Sequence, residues 1–290
     1  MSFLLSLALA TCFMSGMLSL ANSIRRTSER DVALFRVPSL VALGVAVVAS
    51  AVWMLGRWHD LGHPPFADLH GCFVLLAWCV GVVALTLELA GGVRFLGGLS
   101  SLAAAGLLVF GLRFLGEARS IPPVLRSPYF APHVVAYFVA YGALTVAGLA
   151  AALLLVARPV LKTPDLSQSP NGAGKPHLKT VPGTVSPGVE TWLDRAGRIG
   201  LPFLTLGLVL GAFWGQDAWG DWWSWDPKEV WALITWVLVV AWFHLWRSGR
   251  RGAATLAVLL VAVGAMYFTL FGVDLLPTAG QSMHTYTAAP

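Results

Sequence analysis

The chain has 290 residues, of which 57% are hydrophobic and only 11% charged. Soluble chains carry roughly 25% charged residues, so the composition excludes a cytosolic enzyme, a disordered chain and a disulfide-stapled secreted module. It fits a polytopic membrane protein, and the net charge of +5 is read as an orientation signal, not a nucleic-acid surface. Cys12, Cys72 and Cys79 all fall in apolar stretches and form no CxxC pair, which reads as three core thiols.

Eight apolar segments follow in chain order: 3–22, 37–56, 69–90, 95–115, 131–156, 199–215, 229–247 and 254–272. Each is expected to be a helix, because in hydrocarbon every backbone N–H and C=O must be paired within the segment, and the alternating pattern of a barrel is missing. The expected fold class is therefore all-α, a polytopic integral membrane protein of about eight transmembrane helices. No Lys or Arg precedes the first segment, whereas Arg25 and Arg26 follow it. That order fits a retained helix with its N-terminus outside.

The loops support the same orientation. Connections after spans 1, 3, 5 and 7 carry fourteen Lys and Arg. The other side carries five: Arg57, Arg113, Arg119, Arg126 and Lys228. This asymmetry places both termini on the extracytoplasmic side. Three parts result: residues 1–156 with spans 1 to 5, 157–198 as a cytoplasmic linker, and 199–290 with spans 6 to 8 and an outer tail. Residues 157–190 are rich in Pro, Gly, Ser and Lys, as in a flexible connection. A short interfacial helix is expected from Glu190 to Arg198. No internal repeat is evident.

Six of the thirteen tryptophans lie within eighteen residues: Trp214, Trp219, Trp222, Trp223, Trp225 and Trp231. An interfacial aromatic belt is one reading. Against it, a belt needs one or two rings per helix end, and Asp217, Asp221 and Asp226 are interleaved here. The loop, 216–228, also ends on a helix-start signal: Asp226 as N-cap, Pro227 at the first position, Glu229 where a capping box places its acid. Rigidly held indoles suit a large planar apolar ligand.

Seven histidines sort by depth. His133 opens span 5 and His284 lies in the tail, both at the level of the tryptophan loop. Imidazole is a favoured axial ligand for haem iron, so this pair would hold a porphyrin from its two faces. His244 lies within span 7, where an ionisable side chain is a functional candidate; a helix–helix hydrogen bond is the plainer account. His59, His63 and His70 cluster around the outer loop before span 3, and His177 is in the linker. The five outer cations are those that would meet haem propionates, with Arg126 and Lys228 taken as candidates.

At this point the residues match a known family. WGDWWSWDPKEVWALITW closely resembles the WWD signature of the CcsA (ResC) cytochrome c biogenesis proteins, the haem-handling half of the system II cytochrome c synthase. The stretch GHPPFADLHGCFVLLAW, 62–78, resembles a second family segment. It departs from the usual pattern at Asp68, His70 and Gly71, where Asn, Tyr and Glu are frequent; the tail reads HTY where HSY is common.

The resemblance implies site residues and partners. His133 and His284 would be the external haem ligands and His244 the membrane-embedded one. Trp219, Trp222, Trp223, Trp225 and Asp226 would form the shelf, with Arg126 and Lys228 beside it. The cargo would be haem b, passed outward and attached to the CxxCH motif of apocytochrome c. A CcsB (ResB) membrane protein would be the partner and supply a second embedded ligand; thioredoxin-like thiol reductants would be further partners. The membrane would be a bacterial cytoplasmic membrane or a thylakoid. No side chain reads as a dedicated acid, base or nucleophile, so any lyase activity would belong to the complex. Competing readings are a haem carrier resembling CcmC without ligation activity, a cytochrome b subunit, and a transporter whose tryptophans are only a belt.

Overall fold

The computed structural model describes residues 2–24, 29–91, 93–115, 123–161 and 186–276. The described residues are helical, with no strand. Eight helices are long and apolar enough to cross a membrane, which makes the chain an integral membrane protein. They are α1 (Ser2–Ile24), α2 (Glu29–Leu61), α3 (Leu69–Leu89), α4 (Arg94–Gly111), α5 (Phe130–Leu161), α6 (Ser186–Trp219), α7 (Pro227–Arg247) and α8 (Ala253–Tyr267). A 3₁₀ turn (Leu112–Phe114) extends α4 and another (Pro123–Arg126) precedes α5. A π-helical turn (Phe268–Gly272) and a 3₁₀ turn (Val273–Leu275) extend α8.

The segment expected as a separate interfacial helix, Glu190 to Arg198, is the first part of one continuous α6. The reason is packing. Val189, Trp192, Leu193 and Ala196 are almost wholly buried; spaced three and four apart, they give this stretch an inward stripe. Arg251 adds an ion pair to Glu190 at 2.9 Å, and Arg195 donates to the Ala90 carbonyl at 3.0 Å.

Two units share the bundle. In the first, α1 packs on α2 and α4, and α3 packs on α4. In the second, α5 packs on α6 and α8, and α8 packs on α7. The α3–α5 contact joins them. Helix association in lipid rests on close backbone approach more than on apolarity, and glycines provide it. A Cβ on Gly142 of α5 would lie 2.8 Å from the Cys79 backbone of α3. On α6, Gly200, Gly207 and Gly211 face Leu144, Tyr137 and His133 of α5. By contrast α6 and α7 pack thinly, and indoles of α7 reach across to α6. Trp236 Nε1 donates to Thr205 Oγ1 at 2.9 Å, and Trp242 packs on Gly197.

Gly142→Ala is expected to destabilise the folded protein by about 1–3 kcal/mol through overpacking. Gly106→Ala, with open space around it, is expected to be neutral or slightly stabilising. Thermal unfolding of the two variants in detergent checks the contrast.

Candidate haem-presentation site

The tryptophan loop is fixed at both ends by helix-terminal chemistry. Helix α6 stops at Trp219 because Gly220 takes φ +83°, a left-handed conformation that glycine adopts without a Cβ clash. At the other end Asp226 caps α7. Its carboxylate accepts from the Lys228 N–H at 2.8 Å, and the Glu229 carboxylate accepts from the Asp226 N–H at 3.2 Å. This is the expected capping box. Glu229 also accepts from the Ser224 N–H at 2.8 Å and its hydroxyl at 3.2 Å. Four main-chain and side-chain donors thus converge on two acids.

Between these anchors Trp225 has φ +60°. A non-glycine residue there is strained by about 1 kcal/mol or more, and the hydrogen bonds on both sides hold it. The consequence is outward display: the Trp225 and Trp222 rings are 69% and 53% exposed. Trp223 is half-buried and stands edge-on to Trp225, centroids 5.9 Å apart. Its indole N–H is buried with no acceptor among the described residues.

Trp214 ties the loop to α5. It is buried, and its Nε1 donates to the Val124 carbonyl at 2.9 Å, which brings the turn carrying exposed Arg126 alongside. Its ring contacts Trp219 at 4.8 Å, Phe130 at 5.2 Å and His133 at 5.3 Å. His133 is half-buried at the start of α5, 2.9 Å from Nδ1 to the Gly207 carbonyl of α6. A carbonyl only accepts, so Nδ1 carries the proton. In the neutral ring the lone pair then lies on Nε2, the nitrogen with the chemistry of a metal ligand. Tyr137 packs edge-on against the same ring at 4.9 Å.

The other expected site residues are distributed differently. Lys228 is turned away from solvent and paired with Asp274, which follows the π-helical turn of α8, at 3.0 Å. Asp274 was not singled out from sequence, since its partner is 46 residues away. His244 lies at the opposite end of α7, about 26 Å along the helix from Pro227 at 1.5 Å per residue. It is exposed, between the inward-facing Trp242 and Trp246. His284 lies outside the described residues. Of the outer-loop histidines, His70 is buried, its Nδ1 donating to the Gly111 carbonyl at 2.9 Å, whereas His59 is solvent-exposed. Among the described residues no group of three His, Cys, Asp or Glu is placed to hold a metal ion.

The structure therefore brings together His133, Trp214, Trp219, Trp222, Trp223, Trp225, Asp226 and the Arg126 turn, and places His244 elsewhere. The family described as Cytochrome C assembly protein matches residues 66–279, a stretch containing this whole arrangement. CcsA proteins of Synechococcus elongatus and Microcystis aeruginosa are 30% and 32% identical, each aligning over 86% of this chain. The alignments cover 87% and 88% of those relatives. The chain belongs to the CcsA family of cytochrome c biogenesis proteins.

The CcsA of Chlamydomonas reinhardtii is 28% identical, over 85% of this chain and 67% of its own length. The solved structure of Cytochrome c Heme Lyase CcmF has a similar fold, with a TM-score of 0.59 at 20% identity. The similarity covers 94% of this chain but 49% of that one, so the chain spans about half the length of that protein.

Asp226→Ala is expected to cost about 1 kcal/mol through loss of the cap. It should also let Trp225 leave its left-handed conformation, read as faster hydrogen exchange at Ser224–Asp226. Lys228→Met alone strands a buried carboxylate, with an expected cost of about 3–5 kcal/mol. Adding Asp274→Leu should recover much of that, measured by thermal unfolding of the single and double variants.

Proposed function

We propose that this CcsA-family protein carries haem to the tryptophan loop and presents it there for thioether attachment to the CxxCH motif of apocytochrome c. The observation that supports this most is the His133 bond to Gly207. It fixes the tautomer and aims the ring beside a shelf of displayed indoles. A ligand positioned this way, before any cargo arrives, loses little entropy on binding.

The residues present fit haem. The exposed faces of Trp222 and Trp225 offer flat apolar surface. The unaccepted N–H of Trp223 and the exposed guanidinium of Arg126 are donors of the kind a propionate needs. Haem itself supplies the vinyl groups across which two cysteine thiols add. The chain supplies orientation and proximity; Asp226 and Glu229 act by holding the loop. Lys228 serves Asp274 in this reading, leaving Arg126 as the nearer propionate partner.

The remaining elements follow the family. His284, outside the described residues, would be the second external ligand, as the family resemblance implies. The loop lies on the extracytoplasmic side, as the distribution of Lys and Arg supports. His244, exposed on a spanning helix, is suited to a ligand pair completed by a partner membrane protein of the CcsB type, because an ionisable group facing lipid alone is costly. Haem b is the form expected, with thiol reductants keeping the acceptor cysteines reduced.

The test is an absorption spectrum of the purified full chain with its partner membrane protein. A Soret band is expected, reduced or shifted in His133→Ala and partly restored by added imidazole, which fills the vacated axial position. A wild-type spectrum without haem, or one that His133→Ala leaves unaltered, would overturn the proposal. Trp223→Ala should lower haem retention severalfold, whereas Trp58→Ala, an exposed indole on α2, should leave it unchanged.

A further inference from the structure

The α1–α4 unit carries buried polar side chains that haem presentation does not use. On α1, Ser15, Ser19 and Asn22 lie on one face, three and four residues apart, and each is almost wholly buried. Opposite them, at the end of the bundle away from the tryptophan loop, α4 exposes its backbone through Gly97 and Gly98. A Cβ on Gly98 would lie 2.9 Å from the Ser19 Cβ, and any side chain at Gly97 would collide with the Glu88 carboxylate. Ser100 stands one turn further along α4. Asn22, Glu88 and Ser100 belong to α1, α3 and α4, the helices that pack together around Gly97 and Gly98, and their exposures are 4%, 2% and 0%.

Among the described residues these groups have no hydrogen-bond partner. Both amide atoms of Asn22, the Glu88 Oε1 and the Ser100 hydroxyl are buried without a hydrogen bond. Arg36 and Arg94 act on Glu88 electrostatically, yet neither forms an ion pair with it. Buried polar groups left without partners are costly, since each forfeits its hydration.

The chemistry of the orphaned atoms identifies what belongs there. Asn22 Nδ2 requires an acceptor. Asn22 Oδ1 and Glu88 Oε1 require donors. A cation serves only the oxygens, and an anion serves only the amide nitrogen and the hydroxyl. Water serves all of them. We propose that Asn22, Glu88 and Ser100 form an internal water-binding site in the α1–α4 unit.

The hydroxyls next to it extend the site inward. Ser19 Oγ is 2.7 Å from Ser39 Oγ, Ser39 is 3.1 Å from Ser15, and Ser15 is 3.2 Å from Ser101. Ser101 closes the chain by donating to the Gly97 carbonyl at 2.9 Å. Beyond Ser15 the same seam opens into a cavity about the size of one water, lined by Cys12, Ser50 and Trp78 among others. A run of hydroxyls therefore joins Ser19, Ser39, Ser15 and Ser101, with Asn22 one turn beyond one end and the small cavity at Cys12 beyond the other. Asn22 on α1 precedes residues 66–279, the stretch that the family model matches, whereas Glu88 and Ser100 lie within it.

Asn22→Leu separates the hydrated from the dry arrangement. If water fills the site, leucine expels it and strands Glu88, and the thermal midpoint of the full chain in nanodiscs falls by several degrees. A raised midpoint, as expected when a dry orphan is removed, would overturn the proposal. A second measurement uses the wild-type chain, so it does not depend on the variant folding. Hydroxyl radicals generated in ¹⁸O-labelled water should modify Leu87, beside Glu88, more strongly than Leu144, which is buried at the α5–α6 contact. Equal protection of the two would overturn the proposal. So would a midpoint that rises with sodium but not with potassium or choline at equal ionic strength, since that assigns the oxygens to a cation.

Discussion

The close approach of α5 to α6 governs the rest of the tryptophan-loop end. A helix normally shields its own carbonyls with side chains. Gly207 and Gly211 remove that shield, and α5 comes near enough for His133 to donate to the Gly207 carbonyl and for Tyr137 to pack on the bare backbone. A carbonyl oxygen has two lone pairs, so accepting from an imidazole does not require breaking the helix. The same contact brings Phe130 and Trp214 together. A bulky residue at either glycine would separate the helices and remove the histidine's tether, its aromatic neighbours and the seating of the loop at once.

The loop shows how a strained display is sustained without regular structure. Its tryptophans are not held by one another alone. Asp226 and Glu229 bind the main chain on the α7 side, Gly220 turns it out of α6, and Trp214 pins the base to the turn at Val124. Charge is handled by the same economy of partners. Lys228 and Asp274 neutralise each other where both are largely shielded from solvent, and the pair links the start of α7 to the end of α8. Because a lone member would be an uncompensated charge, the two positions are bound to each other more tightly than either is to the loop.

Much of this was legible in the linear sequence because it depends on local signals. Apolar run length located all eight spanning helices, and WDPKE located the α7 cap. The tryptophan density marked the surface that the structure displays. What could not be read depends on pairings across the fold. The partner of His133 is a main-chain atom 74 residues away, which no side-chain pattern announces. Lys228 reads as an outer cation until α8 is folded beside it. His70 reads in sequence as the outer end of span 3, and its burial against Trp53 and Gly111 depends on partners distant in the chain. Glu190 to Arg198 carries the charge of an interfacial segment, and only the burial of Trp192 and Leu193 shows why it continues straight into α6.

That continuity has a mechanical meaning. Helix α6 has 34 residues, about 51 Å at 1.5 Å per residue, against a hydrocarbon thickness of about 30 Å. The rod therefore projects beyond the apolar slab. Its first turns are clasped by arginines from α7 and the α7–α8 turn, Arg247 and Arg251, and its last residue begins the indole display. Between these ends Pro202 removes one backbone hydrogen bond of the rod, so the helix carries its own point of give between the charged clasp and the indoles. One helix thus ties the arginine clasp at one end of the bundle to the tryptophan loop at the other.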